Sequence, residues 1–352
     1  MTPPDPRLLR AIDANLNRAN EALRVIEDCL RFVIEDAHLT SICKGLRHRL
    51  GVWAQQLDRH ACIRMRNAAD DVGRGSQVET EYHRSHVWDV LGANTQRVEQ
   101  ALRALEEFAK TITPQLAQDI ERLRYDVYQF EIPLSALQKN QQTLQRANLY
   151  VLTDTGGDVS LFQEKLEALV AAQVDLIQLR AKSISDKQLV RFAETLSEVT
   201  RSTRTLSIIN DRVDLALAVG ASGVHLGQDD LSMKAARQIA GPELLIGIST
   251  HCLTQARQAV LDGADYIGVG PTFPSTTKQF QDFTGLSFLR EVAQEITLPA
   301  FAIGGINLQN AKQVGESGVT RIAVSAAVPD APEQVAGVIQ QLRNELESVA
   351  ER

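Results

Sequence analysis

The sequence predicts an α/β protein: a closed (β/α)8 barrel of the TIM-barrel type, preceded by an all-α domain built from two related helical hairpins. Three observations lead there. Residues 5–138 carry apolar side chains at helical spacing. Two stretches inside that region share one polar skeleton. From residue 149 onward, eight short apolar runs alternate with helix-like segments. The domains expected are 1–138 (helical), 139–148 (a polar linker, within "QKNQQTLQRAN") and 149–352 (barrel).

The helical part comes first. From Leu16 the residues Leu16, Ala19, Leu23, Ile26, Leu30 and Val33 fall three and four apart, one stripe of an amphipathic helix. "ADDVGRGSQVETEYHR" interrupts the pattern with Gly73 and Gly75 and reads as a loop. The repeat pairs "ANLNRANEALRVIED" at 14–28 with "ANTQRVEQALRALEE" at 93–107, and "LRH" at 46–48 with "LRY" at 123–125. Two related hairpins about a pseudo-twofold axis follow from it. Asn15, Arg18, Arg24 and Glu27 recur as Asn94, Arg97, Arg103 and Glu106. Two readings stay open for them: an anion pocket at a shared cleft, near the Gly-Arg loop, or a structural network of i,i+3 ion pairs. No phosphate-binding P-loop occurs in the sequence.

The barrel part reads "LYVLTD", "DLIQLR", "LSIIN", "GVHLG", "LIGIS", "YIGVG", "PAFAIG" and "RIAVS". Strands apolar on both faces and separated by helices form parallel sheets. Eight such units in about 200 residues close into a barrel at the short end of its size range. An open doubly wound sheet is the rival, but no G-x-G-x-x-G follows the first run.

Composition narrows the class. Hydrophobic residues make 44% and charged residues 23% of the chain, as in soluble globular proteins. No apolar run reaches the roughly 18–20 residues of a membrane helix, and the N-terminus has no apolar signal core, so a cytoplasmic location is expected. The four cysteines, at 29, 43, 62 and 252, form no C-x-x-C pair and suit reduced thiols. The net charge of −7 argues against nucleic acid as the partner. It lies wholly in residues 151–352, whereas residues 1–150 balance 17 Arg and 3 Lys against 20 acids.

In such barrels chemistry sits at the C-terminal ends of the strands. The residues there are Asp154; Gln178, Arg180 and Lys182; Asn210 and Asp211; Gln228, Asp229 and Asp230; Ser249 and His251; "GPTFPSTTK"; Gly304 and Gly305; and Ser325. Asp211 and Asp230 follow adjacent strands. Two carboxylates brought together repel each other unless a cation lies between, and Mg²⁺ commonly takes one or two carboxylates plus substrate phosphate. Either Asp alone equally suits a helix cap, and Asp229 is the expected cap of the next helix. Gln178, Arg180 and Lys182 alternate, so they share one side of a strand end, with cations fit for phosphate. Ser275, Thr276, Thr277 and Lys278 form an anion-suited loop in which Pro271 and Pro274 limit motion. Gly304, Gly305 and Ser325 end the last two strands, where barrels often hold a phosphate on backbone N–H groups and a short helix N-terminus. His225 reads as a packed histidine; His251 lies within reach of the site, its role open. One diphosphate site plus one monophosphate site points to group transfer with pyrophosphate leaving.

With these motifs in hand, the barrel segment resembles the thiamine-phosphate synthase family over residues 148–345. The resemblance rests on "YVLTD", "QLRAK", "INDRVDLA", "GVHLGQDD", "GIST", "DGADYIGVGPTFPSTTK", "AIGGIN" and "AVSAA", in that order. It implies an alkyl/aryl transferase that joins a hydroxymethylpyrimidine diphosphate to a hydroxyethylthiazole phosphate, giving thiamine phosphate and pyrophosphate. It implies that Arg180, Lys182, Ser249 and Lys278 are catalytic. The "QLRAK" span (Gln178, Leu179, Arg180, Ala181, Lys182), Asn210, Ser249 and Lys278 would bind the pyrimidine diphosphate. Ser275, Thr276, Thr277, Gly305, Val324 and Ser325 would bind the thiazole phosphate, and Asp211 and Asp230 would hold Mg²⁺. Ala181 stands where relatives often have Glu.

The helical part resembles a module fused ahead of this synthase in cyanobacterial-type proteins, on "DANLNRANEALRVIED", "DDVGR" and "ANTQRVEQALRALEE". That resemblance implies a hydroxymethylpyrimidine phosphate kinase-like activity; substrate handling and an oligomerisation platform are the alternatives. The partners expected are small-molecule substrates, without nucleic acid or membrane, and a homo-oligomer is open. For the barrel the rivals are an isomerase of a phosphorylated metabolite and a non-catalytic, thiamine-related ligand-binding barrel.

Overall fold

The computed structural model describes residues 5–66, 83–181, 184–274 and 283–350 (the side chains of 6, 140–142 and 348–350 aside). The chain divides into two units, Met1–Leu134 and Ser135–Arg352. The interrupting loop expected at 69–84 falls almost entirely outside the described residues.

In the first unit, helix α1 (Pro6–Cys29) starts where Asp5 accepts from the Arg7 N–H and Pro6 takes a position with no bond to lose. Leu16, Ala19, Leu23, Ile26 and Leu30 are buried as the stripe predicts. Val33 is not: it is 62% exposed. The cause is local, because residues Leu30–Ile34 form a π-helical turn closed by the Asp36 N–H on the Leu30 carbonyl at 3.0 Å. The wider turn rotates Val33 out of an α-helical stripe. Helix α2 (Ala37–Ala54) begins at Asp36, whose carboxylate accepts from the Leu39 N–H. Helices α3 (Arg59–Arg64), α4 (Val87–Ala109) and α5 (Pro114–Thr143) follow. Trp53 on α2 is buried and donates to the Leu116 carbonyl on α5 at 3.0 Å.

The repeats are the first helices of two hairpins, α1–α2 and α4–α5. Buried Glu27 accepts from Arg47 Nε on α2 at 2.7 Å, and buried Glu106 accepts from Arg124 Nε on α5 at 2.9 Å. Arg47 and Arg124 are the arginines of "LRH" and "LRY", so the two echoes in the sequence are one pairing made twice. Residues 139–143, expected in the linker, belong to α5. Their Lys, Asn, Gln and Thr include no Gly or Pro to stop a helix. Pro133, inside α5, lacks the N–H of one helical bond, and the division between units falls just after it.

The second unit is an all-parallel closed barrel in sequence order: β1 (Leu149–Thr153), β2 (Leu176–Leu179), β3 (Leu206–Asn210), β4 (Gly223–Leu226), β5 (Leu245–Thr250), β6 (Tyr266–Val269), β7 (Ala300–Ile303) and β8 (Arg321–Val324). Helices α6 (Val159–Ala171), α7 (Asp186–Thr200), α8 (Val213–Ala218), α9 (Met233–Ala240), α10 (Leu253–Leu261), α11 (Gly285–Glu295), α12 (Ala311–Glu316) and α13 (Pro332–Ala350) follow the strands in turn. All eight runs read as strands are strands. Two carboxylates secure strand starts. Asp175 accepts from the N–H groups of Asn148 and Leu149, and Asp265 accepts from Ile246 N–H and Arg237.

The barrel centre is aromatic. Tyr150, Tyr266 and Phe301 pack edge to face with centroids 5.4–5.9 Å apart, among Leu176, Ile208, Leu245 and Ala323. Leu144 and Ala147, just ahead of β1, belong to the same cluster. A glycine makes room for this arrangement: a Cβ on Gly247 would meet Tyr266 Cζ at 2.1 Å. Among the described residues no helix is long and apolar enough to cross a membrane.

Candidate active site at the C-terminal rim of the barrel

A cavity of about 700 Å³ opens where the strands end. Nine of the expected residues line it: Gln178, Arg180, Asn210, Asp211, Asp230, Ser249, Gly305, Val324 and Ser325. They come from the ends of six strands, so the rim reading gathers residues up to 147 positions apart. Leu179 and Ala181 do not line it. On a strand, side chains alternate between faces, so Leu179, 1% exposed, lies on the face away from its neighbours Gln178 and Arg180. Lys182, Ser275, Thr276, Thr277 and Lys278 lie outside the described residues.

The two acids expected to hold Mg²⁺ differ in how they are held. Asp211 has φ 62°, a left-handed backbone that Asp tolerates better than most residues, and its N–H donates to the His225 carbonyl at 2.8 Å. Asp230 Oδ2 accepts from the Gly227 N–H at 2.7 Å, which fixes the carboxylate at the exposed edge. Asp229, expected to cap α9, does not: Ser232 is the cap, accepting from the Ala235 N–H, and Asp229 lines the cavity instead. A serine directly before the first helical residue reaches the free N–H groups that Asp229, three residues earlier, cannot. Among the described residues no group of three or more His, Cys, Asp or Glu is placed to hold a metal. Asp211 and Asp230 line the cavity together with Asp154 and Asp229, and carboxylates are the donors that suit Mg²⁺ sharing its shell with phosphate and water.

On the opposite side Gly304 (φ 100°) and Gly305 (φ 65°) adopt backbone that side chains disfavour. A Cβ on Gly304 would meet Pro271 Cα at 2.8 Å, and one on Gly305 the Pro274 carbonyl oxygen at 2.3 Å. The glycines therefore let the start of the β6–α11 loop lie against the end of β7, where the N–H groups of Thr272 and Phe273 bond the carbonyls of Ile303 and Gly304. After β8 the chain makes a turn closed by the Val328 N–H on the Ser325 carbonyl at 3.0 Å, and α13 starts only at Pro332. The short helix N-terminus expected there is absent among the described residues; Val324, Ser325, Ala326 and Ala327 line the cavity instead.

Below the cavity runs a buried polar chain that sequence reasoning missed. Gln178 Nε2 donates to the Tyr150 hydroxyl, which lies 3.1 Å from the Tyr266 hydroxyl. Tyr266 Oη is 3.2 Å from His225 Nδ1, and His225 Nε2 is 3.0 Å from Ser249 Oγ. His225 is thus packed, as expected, yet it touches a site residue. Burial pushes its pKa down to about 4, the nearby Asp230 carboxylate opposing and Arg180 assisting. Gln178 is 1% exposed, and its Oε1 has no hydrogen-bond partner in the structure. An amide oxygen left unpaired at a cavity wall calls for a donor from a ligand. His251 also lines the cavity, with Nδ1 2.5 Å from the Gly270 carbonyl.

In the helical unit the repeated polar residues bond within their own helices. Asn15 Nδ2 donates to the Ala11 carbonyl and its Oδ1 accepts from Arg18; Asn94 Nδ2 donates to the Val90 carbonyl and its Oδ1 accepts from Arg97. These bonds, with the Glu–Arg pairs, are those of the structural network.

Comparison with known proteins gives two family matches. A family model described as thiamine monophosphate synthase matches residues 149–328, and one described as the ThiD2 family matches residues 10–133. A thiamine-phosphate synthase of Rhodopirellula baltica is 42% identical over 330 residues, covering 91% of this chain and 88% of that protein. One from Nostoc is 40% identical over 340 residues, covering 97% and 94%. Among solved structures, a thiamine phosphate pyrophosphorylase from Pyrococcus furiosus is 38% identical with a TM-score of 0.50, over 57% of this chain and 96% of that one.

Proposed function

The chain belongs to the thiamine monophosphate synthase family, and from that premise we propose how its barrel performs the reaction. The enzyme is a transferase of thiamine biosynthesis. It joins the aminopyrimidine carried by hydroxymethylpyrimidine diphosphate to thiazole phosphate, giving thiamine phosphate and pyrophosphate. The observation that carries the site assignment is the convergence of nine expected residues on one cavity.

In this reading the reaction is a displacement at the pyrimidine methylene. The C–O bond to the diphosphate breaks, the electron-rich aminopyrimidine carries the positive charge left behind, and the thiazole nitrogen supplies the electron pair of the new C–N bond. No protein nucleophile is required. Arg180 meets the diphosphate as its charge grows, and Lys182 and Lys278 are proposed to add their charges there. Gln178 Oε1 accepts from the exocyclic amine, which supplies the donor that this buried oxygen lacks. Gly305, Val324 and Ser325 take the thiazole phosphate on backbone N–H groups and a hydroxyl. The enclosing walls hold the two rings in line and keep water from the cation. Asp211 and Asp230 are the residues proposed to hold Mg²⁺, which when bound would supply charge neutralisation for the leaving diphosphate.

A cytoplasmic location belongs to the same proposal, and four free cysteines suit a reducing compartment. For the helical unit, the ThiD2 family match over 10–133 supports the proposal that it phosphorylates hydroxymethylpyrimidine phosphate from ATP.

The test is the full chain with pyrimidine diphosphate and thiazole phosphate, reading thiamine phosphate and pyrophosphate in equal amounts. Chelation of divalent cations should stop the reaction and added Mg²⁺ restore it. Full rate under chelation would remove the metal from the proposal. Replacing the diphosphate by the monophosphate plus ATP tests the helical unit, whose proposed role fails if no thiamine phosphate forms.

A further inference from the structure

The buried chain beneath the cavity has four contacts, one proton to each, so all four must run in the same direction. Gln178 Nε2 donates to Tyr150, so the Tyr150 hydroxyl proton goes to Tyr266 Oη. The Tyr266 proton then has His225 Nδ1 as its acceptor, 3.2 Å away. A neutral imidazole that accepts at Nδ1 carries its proton on Nε2, and that N–H donates to Ser249 Oγ at 3.0 Å. Ser249, a lining residue of the cavity, then keeps its own proton for a further acceptor, while the Oε1 of Gln178, also a lining residue, stays without a partner. The opposite register reverses every bond and swaps the two ends: Gln178 would offer N–H and Ser249 a lone pair. A mixed register leaves a buried tyrosine O–H facing no acceptor, which is costly.

We propose that Tyr150, Tyr266 and His225 are positioning residues that fix the hydrogen-bond polarity of the pyrimidine subsite, making Gln178 an acceptor and Ser249 a donor together. The inference rests on the reading above that the barrel takes an aminopyrimidine diphosphate. The chemical class it selects is a heteroaromatic ring that presents an N–H donor to one end and a ring lone pair to the other. A 4-aminopyrimidine does so. A 4-oxopyrimidine presents a carbonyl and a ring N–H, the reverse polarity, and forces both ends into mismatch. A site whose buried polar groups are left unpaired by the wrong ring rejects that ring strongly. The three residues touch no reacting atom; they act through Gln178 and Ser249.

The experiment compares kcat/KM for the 4-amino and 4-oxo pyrimidine diphosphates in the wild-type full chain and in Tyr266→Phe, which cuts the chain between Tyr150 and His225. The wild type should prefer the amine. In Tyr266→Phe the preference should shrink about tenfold or more, the equivalent of one lost discriminating bond, with the KM for thiazole phosphate unchanged. The ratio does not depend on how much of the variant folds, and Tyr150→Phe is a second cut at the next link. The tautomer is read independently from the ¹⁵N shifts of His225 in labelled wild-type chain, with Nε2 protonated and Nδ1 bare expected. A preference unchanged in both variants, or a His225 protonated at Nδ1, overturns the proposal. If the wild type turns over neither diphosphate, the reaction reading fails, and the His225 tautomer still decides the polarity of the chain.

Discussion

Arg124 donates from Nε to Glu106 Oε2 at 2.9 Å, and both side chains are buried. One hairpin earlier Arg47 and Glu27 make the same contact at 2.7 Å. The pairing holds the second helix of each hairpin to the first. Burial alone would raise the Glu106 pKa, but Arg124, Arg103 and Lys110 hold it below the usual carboxylate range. Glu106→Ala leaves Arg124 buried without its anion, and about 3–5 kcal/mol of stability should go. Chemical denaturation measures it, and the barrel's reaction should persist. A loss under about 1 kcal/mol would mean that the pair is dispensable.

Glu99 on α4 behaves oppositely. Burial, then the proximity and hydrogen bond of Glu131 on α5, push its pKa up to about 7, with Arg124 opposing. The folded state therefore holds a proton between roughly pH 4.5 and 7 that the unfolded chain has released, and stability falls as pH rises through that window. Glu99→Gln should raise the melting temperature at pH 8 and leave it nearly unchanged at pH 4. An equal shift at both pH values would contradict the shared proton.

Asp230→Ala removes a rim carboxylate from an exposed position. The rate of thiamine phosphate formation should drop by about 100-fold or more, partly recovered at high Mg²⁺. Stability should change by less than about 0.5 kcal/mol. Wild-type activity at limiting Mg²⁺ would exclude Asp230 as a ligand.

Gly247→Ala puts a methyl group into the Tyr266 ring, with the new Cβ 2.1 Å from Cζ. Overpacking should cost about 1–3 kcal/mol. Because Tyr266 cannot stay in place, the preference for the 4-amino ring should weaken as well. A variant as stable as the parent, with that preference intact, would show that the ring has room to move.

Much of the barrel was legible because each of its strands is an apolar run with a turn signal behind it, and position at a strand end is a sequence property. That is how the sequence alone places Gln178, Asp211 and Ser325 on one rim. What escaped depends on geometry that periodicity does not carry. The π-helical turn at Leu30–Ile34 has the composition of ordinary helix, so Val33 was read as buried. Asp229 and Ser232 both have capping chemistry, and only the start of α9 at Met233 separates them. Tyr150, His225 and Tyr266 sit on three strands and meet only after closure of the barrel. Their polarity among apolar neighbours was the one signal available. Arg47 and Arg124 left a better one, the "LRH" and "LRY" echoes; they share Glu27 and Glu106 with the nearer arginines, since the expected i,i+3 pairs Arg24–Glu27 and Arg103–Glu106 also form, at 3.6 and 2.7 Å.

The placement of aromatic side chains makes the molecule its own pair of optical reporters. Both tryptophans, Trp53 and Trp88, belong to the helical unit, whereas the sole tyrosines of the barrel, Tyr150 and Tyr266, are both links of the chain under the cavity. Tryptophan emission during denaturation therefore follows the first unit and is blind to the second. A tyrosine near-ultraviolet change on adding the pyrimidine diphosphate that is lost in Tyr266→Phe would come from within the barrel's own wiring, because the other three tyrosines, Tyr82, Tyr125 and Tyr128, belong to the helical unit.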